Sequence, residues 1–127
     1  MKAIHIFLII ILLFIQCKNN SDTCDSTVVS GITNVTGPKT GNINQELLFT
    51  VYYGWNNGCA KSSVLNESIS GNTITLSVNT KYSGCACTMV ASLQSTTYTF
   101  KATQAGIYFL NFVQSTNQFI TDTITVN

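Results

Sequence analysis

The residues best equipped for chemistry in this chain of 127 residues are its five cysteines, and two of them, Cys85 and Cys87, are separated by a single alanine. Thiolates at that spacing can hold Cu(I) or zinc. A metal carrier would need further donors. The single histidine is His5, close to the start of the chain, and Met89 stands alone in the rest of the sequence. With Cys17 set aside, Cys24, Cys59, Cys85 and Cys87 form an even set. In an exported domain an even set implies two disulfides. On a strand Cys85 and Cys87 point the same way, and a bond between them would be strained. Each is therefore expected to take a distant partner, Cys24 or Cys59, which leaves two pairings open.

A second group of side chains lies in Tyr52-Tyr53-Gly54-Trp55-Asn56-Asn57. Rings interleaved with amides suit a sugar ring or a peptide, which makes Tyr53, Trp55 and Asn56 candidate ligand contacts. The competing reading is that the rings cap one end of a hydrophobic core. Catalysis finds little support. Without a histidine beyond His5 there is no nucleophile–base pair, and Glu46, Glu67 and Asp122 stand far apart on separate segments. The expectation is a non-enzymatic protein without a cofactor. All six basic residues are lysines, and beyond residue 16 five lysines balance five acids. Binding nucleic acid requires phosphate neutralisation, and this balance excludes it.

The elements that position these groups begin after a leader. Met1-Lys2-Ala3 precedes an unbroken apolar run from Ile6 to Ile15, about half the length needed to cross a bilayer. The run stops at Cys17, followed by the polar Lys18-Asn19-Asn20-Ser21-Asp22. This arrangement resembles a bacterial lipoprotein signal, in which the cysteine becomes the lipid-bearing first residue. The resemblance implies a signal peptide over residues 1–16 and lipidation at Cys17. A tether would follow over residues 17–26, and a folded domain over residues 27–127. It also implies an exported protein, held at the bacterial outer membrane or cell surface by a lipid bilayer contact. A soluble exported domain is the alternative.

Within the domain, apolar residues alternate with polar ones in short stretches divided by glycine and asparagine. The alternation predicts a weak strand over residues 28–35, interrupted at Gly31, and clear strands over 46–53, 62–69 and 73–79. Further strands are expected over 96–102, 107–112 and 120–126, with a short segment at 88–93. No helical period persists. Seven or eight antiparallel strands of this kind predict an all-β sandwich. Gly106-Ile107-Tyr108-x-Leu110 resembles the corner leading into the sixth strand of immunoglobulin-like domains. There a tyrosine two residues before a core position bonds back to the preceding loop.

A narrower resemblance lies in Asn57-Gly58-Cys59, Tyr82-Ser83-Gly84-Cys85-Ala86-Cys87-Thr88, Tyr98-Thr99-Phe100-Lys101-Ala102 and Ala105-Gly106-Ile107-Tyr108. Together these are similar to a set of small bacterial lipoproteins with an immunoglobulin-like domain, a resemblance that implies no activity. The sequence thus points to a cell-envelope lipoprotein acting as a binding or accessory module, its partner an envelope protein or glycan. An immunoglobulin-like peptidase inhibitor shares the closing strand, glycine corner and aromatic strand, but its Asn-Pro-x-Thr-Gly loop is absent here. The thiol metal carrier is the third reading.

Overall fold

The computed structural model describes residues 24–127, and its regular elements are nine strands. They are β1 (Asp25–Ser30), β2 (Ile32–Thr36), β3 (Thr40–Gly41), β4 (Glu46–Trp55) and β5 (Ala60–Ser70), followed by β6 (Thr73–Ser83), β7 (Ser92–Lys101), β8 (Gly106–Ser115) and β9 (Gln118–Val126). The expected signal peptide, the expected lipidation site Cys17 and the expected tether up to Thr23 lie outside the described residues. β1 begins at Asp25, inside the segment read as tether.

Six strands form one sheet and three form the other. The small sheet runs β2-β4-β7, antiparallel throughout. In the large sheet β6 is the organising strand. One edge of it pairs with β5 from Thr73 to Tyr82. Its other edge is divided, taking β8 at Thr73–Leu76 and β1 at Val78–Ser83. β9 then pairs with β8, and the short β3 with β9. The expected sandwich is present, with nine strands, and two of its pairings are parallel: β6 with β8 and β3 with β9. The first has a simple cause. Between β6 and β8 the chain crosses to the small sheet as β7, so it re-enters the large sheet in its original direction.

The weak strand expected over residues 28–35 is two strands in different sheets. Gly31 is where the chain changes sheet. A Cβ there would lie 2.5 Å from the Gln114 carbonyl oxygen, so only glycine allows the crossing so close to the end of β8.

The core forms where the alternating apolar faces meet. β4 contributes Leu47, Phe49, Val51 and Tyr53, β6 contributes Ile74, Leu76 and Val78, and β8 contributes Leu110 and Phe112. Phe49 lies at the centre, its ring centroid 6.4 Å from those of both Phe112 and Tyr98. Each such ring withdrawn from water contributes about 1.5–3 kcal/mol. The outward residues of β8, Ile107 and Phe109, are exposed, as alternation requires.

The tyrosine corner is formed. The Tyr108 hydroxyl donates to the Gln104 carbonyl at 2.9 Å, and its ring meets Phe100 edge-on at 5.3 Å. Gly106 turns the corner at φ 154°, a conformation side chains rarely adopt. Two residues after Tyr108, Leu110 is fully buried. Replacing Tyr108 with Phe keeps the ring and deletes one hydrogen bond. We expect a cost of about 1 kcal/mol, seen as a fall of roughly 4–8 °C in Tm; an unchanged thermal unfolding curve would show that the corner contributes nothing to stability.

Candidate functional site

The chemistry expected of the cysteines is settled by their pairing. Cys24 bonds Cys85 and Cys59 bonds Cys87, with Cα separations of 5.0 and 5.3 Å. Each member of the Cys-x-Cys pair has a distant partner. The bridges close chain separations of 61 and 28 residues. In the chain-entropy model each is worth roughly 3.5–4.5 kcal/mol. Backbone bonds tighten the same end: Gly84 N–H to the Cys24 carbonyl at 3.3 Å, Ser83 N–H to the Cys59 carbonyl at 3.0 Å, and Gly58 N–H to the Thr88 carbonyl at 2.9 Å. These four sulfurs are paired in the two disulfides. Among the described residues no group of three or more His, Cys, Asp or Glu side chains could hold a metal ion.

The aromatic loop does not make an open platform. Tyr53 belongs to β4 and is buried in the core, so its ring is unavailable to a ligand. Trp55 is half-buried against the same core, and its indole N–H donates to Ser63 Oγ at 2.9 Å. That hydroxyl continues to Thr80 Oγ1 at 2.8 Å, and Thr80 to Ser30 Oγ at 2.7 Å. The chain of hydroxyls joins β4 in one sheet to β5, β6 and β1 in the other. Asn56 is exposed, and its backbone N–H donates to the Tyr82 hydroxyl at 2.9 Å. The rings cap the core, and Asn56 alone of the three faces solvent.

A more promising place lies at the opposite end. β5 and β7 are the free edges of their sheets on one side of the sandwich, and a groove of about 480 Å³ opens between them. Glu67 and Ile69 of β5 form one wall, Tyr98 and Lys101 of β7 the other, and Asn72 and Gln104 close the end beside the tyrosine corner. Burial raises the pKa of the Tyr98 hydroxyl well above the ordinary phenol range, reinforced by its hydrogen bond to the Glu67 carboxylate and by that group's charge. Lys101 lies 3.9 Å from Glu46, and Asn72 Nδ2 donates to the Ile107 carbonyl at 3.0 Å. A second hollow, of about 570 Å³ beneath the β8–β9 turn, is walled mainly by Val29, Val113 and Phe119 and offers fewer polar groups. The first groove combines aromatic, amide and charged groups, as sites for polar ligands do.

No local feature of the sequence marks this groove. Glu67 and Tyr98 are 31 positions apart in the chain and carry no shared motif. Only the facing of β5 and β7 across the two sheets brings them together. Tyr98 and Lys101 share the segment Tyr98-Thr99-Phe100-Lys101-Ala102 and Glu67 is among the scattered acids, but no local pattern joins them.

A two-sheet sandwich closed by a tyrosine corner, with a groove between free edges, defines a β-sandwich domain. Residues 49–126 match the ORF11 beta-sandwich domain, and the chain belongs to that family. No curated protein matches the chain, and neither does any solved structure.

The Tyr98–Glu67 contact has a measurable consequence. Because the folded hydroxyl gives up its proton less readily than the unfolded one, its contribution to stability is complete below the ordinary phenol value of about 10 and declines as pH rises beyond it. Tyrosinate absorbance should contain a component that ionises above the ordinary phenol value, and Tyr98→Phe should remove it and flatten the alkaline loss of stability. A titration without that component would contradict the contact.

Proposed function

We propose that this chain is an exported, non-enzymatic binding module of the cell envelope, anchored in a lipid bilayer through Cys17, whose β5–β7 groove takes an envelope protein or glycan. The observation that carries the reading is the position of the groove relative to the disulfides. Cys24 and the two bridges are gathered at the end of β6 that holds Ser83, while the groove borders the end that holds Thr73. Eleven residues of strand separate the two ends, about 35 Å at the usual rise. Lipid attached seven positions before Cys24 would therefore hold the domain at its clamped end and leave the groove open. The disulfides themselves favour an oxidising compartment. The groove's mixed lining favours a ligand with both rings or apolar side chains and hydrogen-bonding groups.

Two measurements test this. Intact mass of membrane-extracted protein should show lipid on a chain beginning at Cys17 and a gain of about four hydrogens on reduction; a chain without lipid would overturn the anchor. Binding to a glycan array or an envelope peptide library should then be compared for the wild type, Thr103→Trp and Trp55→Ala. Thr103 lines the groove between Lys101 and Gln104, so Thr103→Trp is expected to obstruct it and abolish binding, whereas Trp55→Ala alters only the capped end. Binding that survives Thr103→Trp would remove the groove from the proposal.

A further inference from the structure

The disulfide-clamped end of the sandwich carries the most exposed large apolar side chain among the described residues. Met89 is 90 % exposed, and Val90 beside it is 65 % exposed. Both lie in residues 84–91, which join β6 to β7 without strand or helix. Every residue from Thr88 to Leu93 is exposed. Between Lys81 and Lys101 the chain carries no charged residue. An apolar side chain exposed singly on a strand needs no explanation. Two in succession on a loop, with exposed Leu93 close behind and no charge among them, form a patch suited to contact with another apolar phase.

The stem of this loop is held in place. Cys85 and Cys87 are bridged to Cys24 and Cys59. The Thr88 carbonyl accepts from Gly58 N–H at 2.9 Å, and Gly58 approaches so closely that a Cβ there would collide with the Thr88 hydroxyl. The position of the stem decides what can cover the patch. Seven positions separate Cys17 from Cys24, a reach of about 25 Å at most. Cys24 is bonded to Cys85, and Met89 follows Cys85 by four residues, about 14 Å of chain at most. A lipid at Cys17 therefore brings a bilayer within reach of Met89, whereas the groove borders the far end of β6. Near the clamped end the charged groups among the described residues are Lys61, Lys81 and Asp25, all exposed. The two lysines suit anionic headgroups.

We propose that the loop over residues 84–91 is a second membrane contact, with Met89 and Val90 seated in the headgroup region of the bilayer that holds Cys17. This rests on the anchored reading above, which supplies the bilayer, and adds an orientation to it. A lipid on one residue limits how far the domain lies from the membrane. A second, apolar contact fixes which way it faces, here with the groove outward. Interfacial contacts strengthen with the apolar area buried and with attraction of lysines to anionic lipid. Met89 and Val90 are already exposed in the folded domain, so seating them requires no part of it to unfold.

The test uses membrane-extracted protein whose lipid is established by intact mass. It is reconstituted in phosphatidylethanolamine–phosphatidylglycerol vesicles with brominated acyl chains, which quench tryptophan on contact. Trp55, half-buried against the core, supplies the wild-type baseline. Met89→Trp should add emission that the brominated lipid quenches about twofold or more. Thr103→Trp should add emission that it does not quench, which controls for the affinity of tryptophan itself for lipid. Adding Val90→Glu to Met89→Trp should remove at least about half of the quenching, because a carboxylate resists the interface. In lipidated protein, a Met89→Trp signal quenched no more than that of Thr103→Trp, or one indifferent to Val90→Glu, overturns the contact and leaves the anchor standing. A mass without lipid ends the anchor instead, and the same vesicles then judge the loop by itself. Quenching of the Met89→Trp signal there keeps the membrane contact, and its absence overturns it.

Discussion

A sheet of three strands cannot cover a sheet of six, and most of what distinguishes this domain follows from that mismatch. The core is dense where β4 faces β6, β8 and β9, around Phe49 and Phe112. Toward β5 the cover thins. Leu65 still packs against the core, but Glu67 and Ile69, on the same face, are exposed. The groove is the space left under this overhang, and the free β5 edge is its rim. The unfilled volume and the unpaired backbone arise from one packing deficit rather than from two separate features. A domain selected only for stability would extend the small sheet beyond β7 or shorten β5.

The opposite end is held differently. There the two disulfides and the Cys24 and Cys59 carbonyl bonds tie together the ends of β1, β5 and β6 in the large sheet, and the line of hydroxyls from Ser63 to Ser30 joins that sheet to Trp55 of β4. A buried hydroxyl left without a partner costs about 1–3 kcal/mol, so such a chain stabilises only when every member is satisfied. Thr80 is at its centre, fully buried and bonded to two neighbours. The crosslinks act mainly on the unfolded chain, which they shorten, while the hydroxyls fix how the sheets register in the folded one. Stiffness is thus concentrated where the N-terminal segment enters.

How much of this was legible in the sequence depends on the distance over which each feature is specified. Alternation in Leu47-Phe49-Val51-Tyr53 and Ile74-Leu76-Val78 identified core faces, because a strand's two-residue period is local. The tyrosine corner was legible for the same reason, with all its parts lying within Gln104–Leu110. The disulfides were legible to within one choice of partner. Residues 28–35 misled as a single strand, since nothing in a local pattern states that a chain changes sheet at Gly31. That requires the Gln114 carbonyl, more than eighty residues away. The parallel β6–β8 pairing and the Glu67–Tyr98 contact depend on which sheet β7 joins. Tyr53 and Trp55 fitted both a binding platform and a core cap by composition, and only the far wall of the core, with Ser63 on β5, decides between them.

The scarcity of charge sharpens the meaning of each charged residue. With few ionic groups, solubility rests on threonine, serine and asparagine, and a charge is not needed merely to keep the surface wet. Those present are placed with some economy. Lys39 reaches the buried Asp122, whose second carboxylate oxygen is left without a partner and would be poorly tolerated without the lysine. Lys101 faces Glu46 across the β4–β7 ladder, tying the small sheet together beside the groove. Glu67 is anchored to Tyr98.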